Sequence, residues 1–174
     1  MKKFLFAFTL LALFSNYSYG RIIAKVVIRS DFNQKYVIDL DHGVAREGQN
    51  IFLNEYHGGI NQQWFLDIDD IYGDLVIRSC VDPDYCIGLS DGNLTNTKNV
   101  VLTKYRLQKW QRWTLFDNIM GTYAGIISCA NHTFCLDVEN AMAAGIRNGT
   151  NLSIWPYHKQ KNQNWYFDYK ESYV

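Results

Sequence analysis

The sequence predicts an all-β domain in which three repeats of four short strands close around a shared axis. Three observations carry this. Residues of like type recur in register: Ser30, Ser79 and Ser128 stand 49 apart, as do Ile28, Ile77 and Ile126, then Ile38, Ile87 and Leu136. Further along each unit the steps become 49 and 52, through Leu53, Leu102 and Ile154, and through Trp64, Trp113 and Trp165. Finally, apolar segments too short for helices alternate with turn-forming Asn, Asp and Gly, and helical periodicity is weak throughout.

The first unit opens with "KVVIRS", continues with "YVIDL" and "IFLNEY", and ends with "WFLDI", each an alternating or wholly apolar run bounded by turn residues. Register carries the same four strands into the second and third units, with repeats of about 24–72, 73–120 and 121–174. The third unit holds three extra residues between Asp137 and Ile154, in "ENAMAAGIRNGTN", where one helical turn is the most the pattern allows. A unit this small cannot bury its apolar face alone, so the three must pool their Leu, Ile and Trp side chains. A propeller is the alternative, but three blades are fewer than that architecture uses.

Before the repeats, Met1-Lys2-Lys3 is followed by the uncharged run "FLFAFTLLALF" and by "SNYSYG". This reads as a signal peptide over residues 1–20, with residues 21–174 as the mature domain. The run is shorter than the ~20 residues that span a bilayer, so direct membrane insertion is not expected, and the product is expected outside the cytoplasm, extracellular or periplasmic. Seventeen Lys and Arg balance seventeen Asp and Glu without a basic run, so the footprint of a nucleic-acid binder is missing. The partner expected is neutral. In an oxidising compartment four cysteines suggest two disulfides, and the spacing pairs Cys80 with Cys86 and Cys129 with Cys135 across hairpins. Neither these cysteines nor His42, His57, His132 and His158 show ligand spacing, so no metal or cofactor is expected. Sequons stand at Asn93, Asn131, Asn148 and Asn151.

Gln62-Gln63-Trp64, Gln111-Arg112-Trp113 and Gln163-Asn164-Trp165 resemble the three Q-x-W motifs of the ricin B-type lectin family, over essentially the whole mature chain. The resemblance implies a β-trefoil, a non-catalytic carbohydrate-binding function and galactose-type glycans of glycoproteins or glycolipids as partners. The tryptophans then read as core and the glutamines as turn holders. A neutral sugar needs a carboxylate for adjacent hydroxyls, an amide that gives and takes, and an aromatic platform for its C–H face. The family supplies these as an Asp in the second strand, an aromatic in the third and an Asn before the Q-x-W glutamine. Unit three has the full set in Asp137, Trp155, Asn162 and Gln163, with His158 beside it, and Asp137 is expected to be exposed at the pocket edge. Unit one keeps Asp39, Asn61 and Gln62 but has Asn54 at the platform position, so a second, weaker site there would lean on Tyr56 or His57. Unit two, with Gly88, Thr103 and Trp110 at the three positions, reads as silent.

Members of this family also serve as cell-binding toxin subunits, so other subunits of a toxin complex are conceivable partners. Two further classes remain open at this point. A glycosidase would need paired carboxylates about 5 to 10 Å apart, and Asp39 and Asp137 lie in different units, which argues against an enzyme. A protein-docking trefoil, an inhibitor or assembly subunit with vestigial sugar sites, is the alternative to a lectin.

Overall fold

A computed structural model describes residues 20–116 and 123–173. The expected leader therefore lies outside the described residues, except for Gly20, which opens the first strand. The chain is all-β, with twelve strands in one sheet. Unit one comprises β1 (Gly20–Ser30), β2 (Tyr36–Leu40), β3 (Gln49–Glu55) and β4 (Trp64–Asp69). Unit two comprises β5 (Leu75–Ser79), β6 (Tyr85–Leu89), β7 (Val100–Lys104) and β8 (Trp113–Phe116). Unit three comprises β9 (Tyr123–Ser128), β10 (Phe134–Val138), β11 (Thr150–Pro156) and β12 (Asn164–Ser172), with a single helical turn α1 (Ala141–Ala144) between β10 and β11.

The outer strands of the units pair in a closed antiparallel ring, β1 to β4, β5, β8, β9, β12 and back to β1. The inner strands form three hairpins, β2–β3, β6–β7 and β10–β11, which meet through β3 against β7 and β11 against β3. Closure leaves the ring without an exposed edge.

Register explains the repeating residues. Trp64, Trp113 and Trp165 are fully buried, and each indole Nε1 donates to the carbonyl of the matching second-strand residue, Ile38, Ile87 and Leu136. Each motif thus ties the fourth strand of its unit to the second, while Ile28, Ile77 and Ile126 fill the space between. The buried serines act as turn holders: the Oγ of Ser30, Ser79 and Ser128 accepts from the backbone N–H two residues on. Where the hairpins meet, a further triple appears. Asn50 donates to Asn151 (3.2 Å), Asn151 to Asn99 (2.9 Å) and Asn99 to Asn50 (3.0 Å), a closed circuit of side-chain amides with one member from each unit.

The junctions between units are less symmetric. Arg29 pairs with Asp168 at 2.8 Å and lies 4.6 Å from the ring centre of Tyr56; Arg78 likewise pairs with Asp67 and lies over Tyr105. At the third junction Ile127, Phe116 and Tyr157 replace this set, and Phe116 meets Tyr157 edge-on at 5.7 Å.

The expected pairs Cys80–Cys86 and Cys129–Cys135 are not formed in the structure, where all four cysteines are free thiols. Cys86 stands opposite Arg78 and Cys135 opposite Ile127, so each first cysteine lies two residues beyond its supposed partner's register. Backbone bonding draws those first cysteines toward other strands, with the Cys80 amide on the Gln63 carbonyl and the Cys129 amide on that of Arg112. Burial pushes the Cys80, Cys86 and Cys129 thiols up to about 12 and raises that of Cys135 as well, which makes them poor nucleophiles.

Candidate functional site

In unit three, β10 and β11 pair with Asp137 opposite Ser153 and Cys135 opposite Trp155, so Asp137 and Trp155 share one face of the hairpin. The 3₁₀ turn Lys161–Gln163 brings Asn162 and Gln163 against that face. Gln163 is fully buried and works in two directions. Its Oε1 accepts from the His158 backbone N–H at 2.7 Å, and its Nε2 donates to the Pro156 carbonyl at 3.0 Å and to Asp137 Oδ2 at 2.7 Å. Asn162 Nδ2 donates to the same Oδ2 at 2.9 Å. Neither amide engages Asp137 Oδ1. The other end of the Asn162 amide, Oδ1, is buried and accepts no hydrogen bond among the described residues.

Asp137 is therefore not the exposed rim residue expected from sequence: it is 6 % exposed, because two amides clasp it from beneath. Burial raises its carboxyl from 3.8 to about 6, against the lowering effect of Gln163, Asn162 and His158, whose Nε2 is 4.0 Å away. Trp155, 36 % exposed, forms one wall of a shallow cleft with about 150 Å³ of space. The other side is α1. Ala141 anchors it in the core, while Met142 projects outward beside the cleft. The structure thus brings Asp137, Trp155, Asn162, Gln163 and His158 together.

Unit one repeats the clasp. Asp39 Oδ1 and Oδ2 accept from Asn61 Nδ2 and Gln62 Nε2, each at 2.7 Å, and Gln62 Oε1 accepts from the His57 and Gly58 backbones. Tyr56 does not join it. It packs on Arg29 and borders a separate depression with Gln34, Lys35 and Glu55. The side chain beside Asp39 is His57, whose Nε2 is 3.4 Å from Oδ2, so His57 and His158 occupy matching places. Sequence reasoning recognised His158 but passed over this equivalence, although both lie five residues before the Q-x-W glutamine.

Unit two keeps only the scaffold. Gln111 Nε2 donates to Thr103 Oγ1 and the Lys104 carbonyl at 2.6 Å each. At Gly88 a Cβ would come within 3.0 Å of the Trp110 carbonyl, and at Gly92 within 2.9 Å of the Trp110 ring. Trp110 thus packs its ring against Gly92 and its carbonyl against Gly88. Residues that sequence reasoning missed are those of the unit-three wall, Asn140 and Met142; the only signal was the three-residue insertion.

No helix among the described residues is long and apolar enough to cross a membrane. No group of three or more His, Cys, Asp or Glu among them could hold a metal ion.

No protein-family model matches the chain, and no curated protein does. Solved structures do. A designed three-fold symmetric protein, ThreeFoil, superposes with a TM-score of 0.73 at 24 % identity, covering 83 % of this chain and 97 % of its own. A ricin B-like lectin of Macrolepiota procera, solved with lactose, gives 0.67 at 19 % identity over 85 % of this chain and 96 % of its own. A mosquitocidal holotoxin gives 0.75 at 15 % identity over 86 % of this chain, which matches 17 % of that much longer protein. The chain resembles the ricin B-like lectins and has their fold.

Proposed function

We propose that the chain is an exported, non-catalytic β-trefoil lectin of the ricin B type that binds galactose-type glycans through the cleft of unit three. One observation carries the reading. In that cleft a buried carboxylate is held by two amides at one oxygen only, beside a buried unpartnered acceptor and on the same hairpin face as an exposed indole. Asp137 Oδ1 would accept from a sugar hydroxyl while the sugar's C–H face lies on Trp155. The likeness to a lectin solved with lactose supports the ligand class. A lone shallow site binds a monosaccharide near millimolar, about −4 kcal/mol, so cell attachment would draw on the second clasp at Asp39 or on assembly with partners. The likeness to part of a holotoxin supports a cell-binding subunit as the setting.

The test is titration of lactose and related sugars into the folded protein. Binding near millimolar is expected for the parent, and Trp155→Ala is expected to weaken it at least tenfold while leaving the thermal midpoint within a few degrees. Unchanged binding by Trp155→Ala would overturn the site.

Affinity should also follow pH. Below about 6 Asp137 takes a proton and loses acceptor capacity, so affinity should fall by up to about tenfold per pH unit as pH drops from 6 toward 4. The charged or titratable groups around it are His158 and Glu139, so the profile is measured in parent and in His158→Gln; persistence of the fall in the variant assigns it to Asp137. A flat profile in both would contradict a carboxylate acceptor.

A further inference from the structure

Beside the cleft just described lies a second depression with about 360 Å³ of space, bordered by Phe32, Met142, Lys159, Gln160 and Lys161. The two depressions share Met142. On one side Met142 of α1 borders both. On the other, a single stretch of chain supplies His158 and Asn162 to the first and Lys159–Lys161 to the second. Their chemistry differs. The first is lined by the acids Asp137 and Glu139 and by amides and hydroxyls. The second has two lysines, one aromatic ring and a thioether, and no acidic side chain borders it among the described residues.

The two lysines are not equivalent. Lys159 has left-handed backbone (φ 64°) and places its ammonium 5.1 Å from the ring centre of Phe116, whereas Lys161 is exposed at the start of the 3₁₀ turn. The turn is fixed from below, because Asn162 and Gln163 are buried against Asp137. A ligand seated on Asp137 that reached past Met142 would meet Lys161.

We infer that this second depression is a subsite for an anionic sugar residue, carrying a carboxylate or a sulfate ester, linked to the sugar held in the unit-three cleft. The inference rests on the lectin reading and refines its ligand class. Lys161 supplies the counter-charge, Gln160 a neutral donor, and Phe32 with Met142 the surface for the residue's apolar edge. An exposed lysine makes a salt-sensitive contact, so the preference for anionic glycans should shrink in high salt.

The experiment compares the full mature chain with lactose, a neutral galactosyl-extended lactose, sialyllactose and sulfated lactose, each at low and high salt. Expected is at least threefold tighter binding of one or both anionic probes than of the neutral trisaccharide, an advantage that falls toward unity in 1 M salt. Lys161→Glu, with folding checked by its thermal midpoint, should invert the anionic-to-neutral ratio. Met142→Lys should raise that ratio. A response to sialyllactose alone assigns the carboxylate, and a response to sulfated lactose alone the sulfate. Equal binding of neutral and anionic trisaccharides by a chain that binds lactose would overturn the subsite and leave the lectin reading intact. Failure to bind any of the four would overturn both.

Discussion

Trp165→Ala is expected to cost about 3 to 5 kcal/mol, the range for deleting a large buried aromatic, and to leave little folded protein at physiological temperature. The indole is fully buried where β12 meets the third hairpin, and its Nε1 bond to the Leu136 carbonyl anchors the strand that carries Asp137. Losing the ring opens a cavity and also strands that carbonyl, which adds about 1 to 3 kcal/mol if no water reaches it. Against a typical total of 5 to 15 kcal/mol, this is a large fraction. Urea denaturation followed by fluorescence and circular dichroism checks it. A variant as stable as the parent would mean that the three tryptophans do not organise the core.

Asp137→Asn is expected to abolish sugar binding while leaving the fold intact, and to raise stability at neutral pH. The side chain keeps its shape, and its carbonyl oxygen can take over the two bonds now donated by Asn162 and Gln163. The native carboxyl is raised from 3.8 to about 6, so between those values the folded state holds a proton that the unfolded chain has lost. The stability this group contributes is thus full below about 3.8 and is lost as pH rises through 6, a change on the order of 3 kcal/mol. Asparagine removes that slope, so at pH 7 the variant should melt higher by an amount up to that magnitude. Asp137→Ala differs: it leaves two buried amides without an acceptor and should be destabilised by about 1 to 3 kcal/mol. Titration with sugar and thermal melts at pH 5 and pH 7 separate the outcomes. Undiminished binding by Asp137→Asn would remove the carboxylate from the mechanism. A protein that keeps an ionisable group at some cost in stability trades stability for function.

The strands, the three buried tryptophans and the grouping of Asp137 with Trp155, Asn162 and Gln163 were legible in the sequence because each follows from register, and register is a one-dimensional property. What was not legible depends on which way a side chain leaves its strand and what stands behind it. Asp137 read as a rim residue because the amides that clasp it come from a turn some 25 positions away. Tyr56 read, as an alternative to His57, as a substitute platform, but it packs on Arg29 of β1 and borders another depression. The cysteines show the same limit: spacing across a hairpin is visible, while the Gln63 and Arg112 carbonyls that hold the Cys80 and Cys129 amides lie in turns just ahead of β4 and β8. The asparagine circuit had a signal in the same steps of 49 and 52, yet polar residues at strand ends look like ordinary turn chemistry.

That circuit fixes copy number. Around it Asn50, Asn99 and Asn151 each give one hydrogen bond to the next member and take one from the last, while Asn151 gives a second to Glu139, so loss of one unit would leave a donor and an acceptor of the circuit unmatched, and a fourth unit would have no place. Stacked repeat proteins grow or shrink by whole modules because each module touches only its neighbours; here every module touches both others, and gain or loss of one breaks the closure. Divergence falls on the loops, the hairpin faces and the outer junction where Phe116 and Tyr157 replace an ion pair. One unit could therefore fill its recess with Trp110, another keep a bare clasp at Asp39, and the third acquire a helical wall, while the frame went on counting to three.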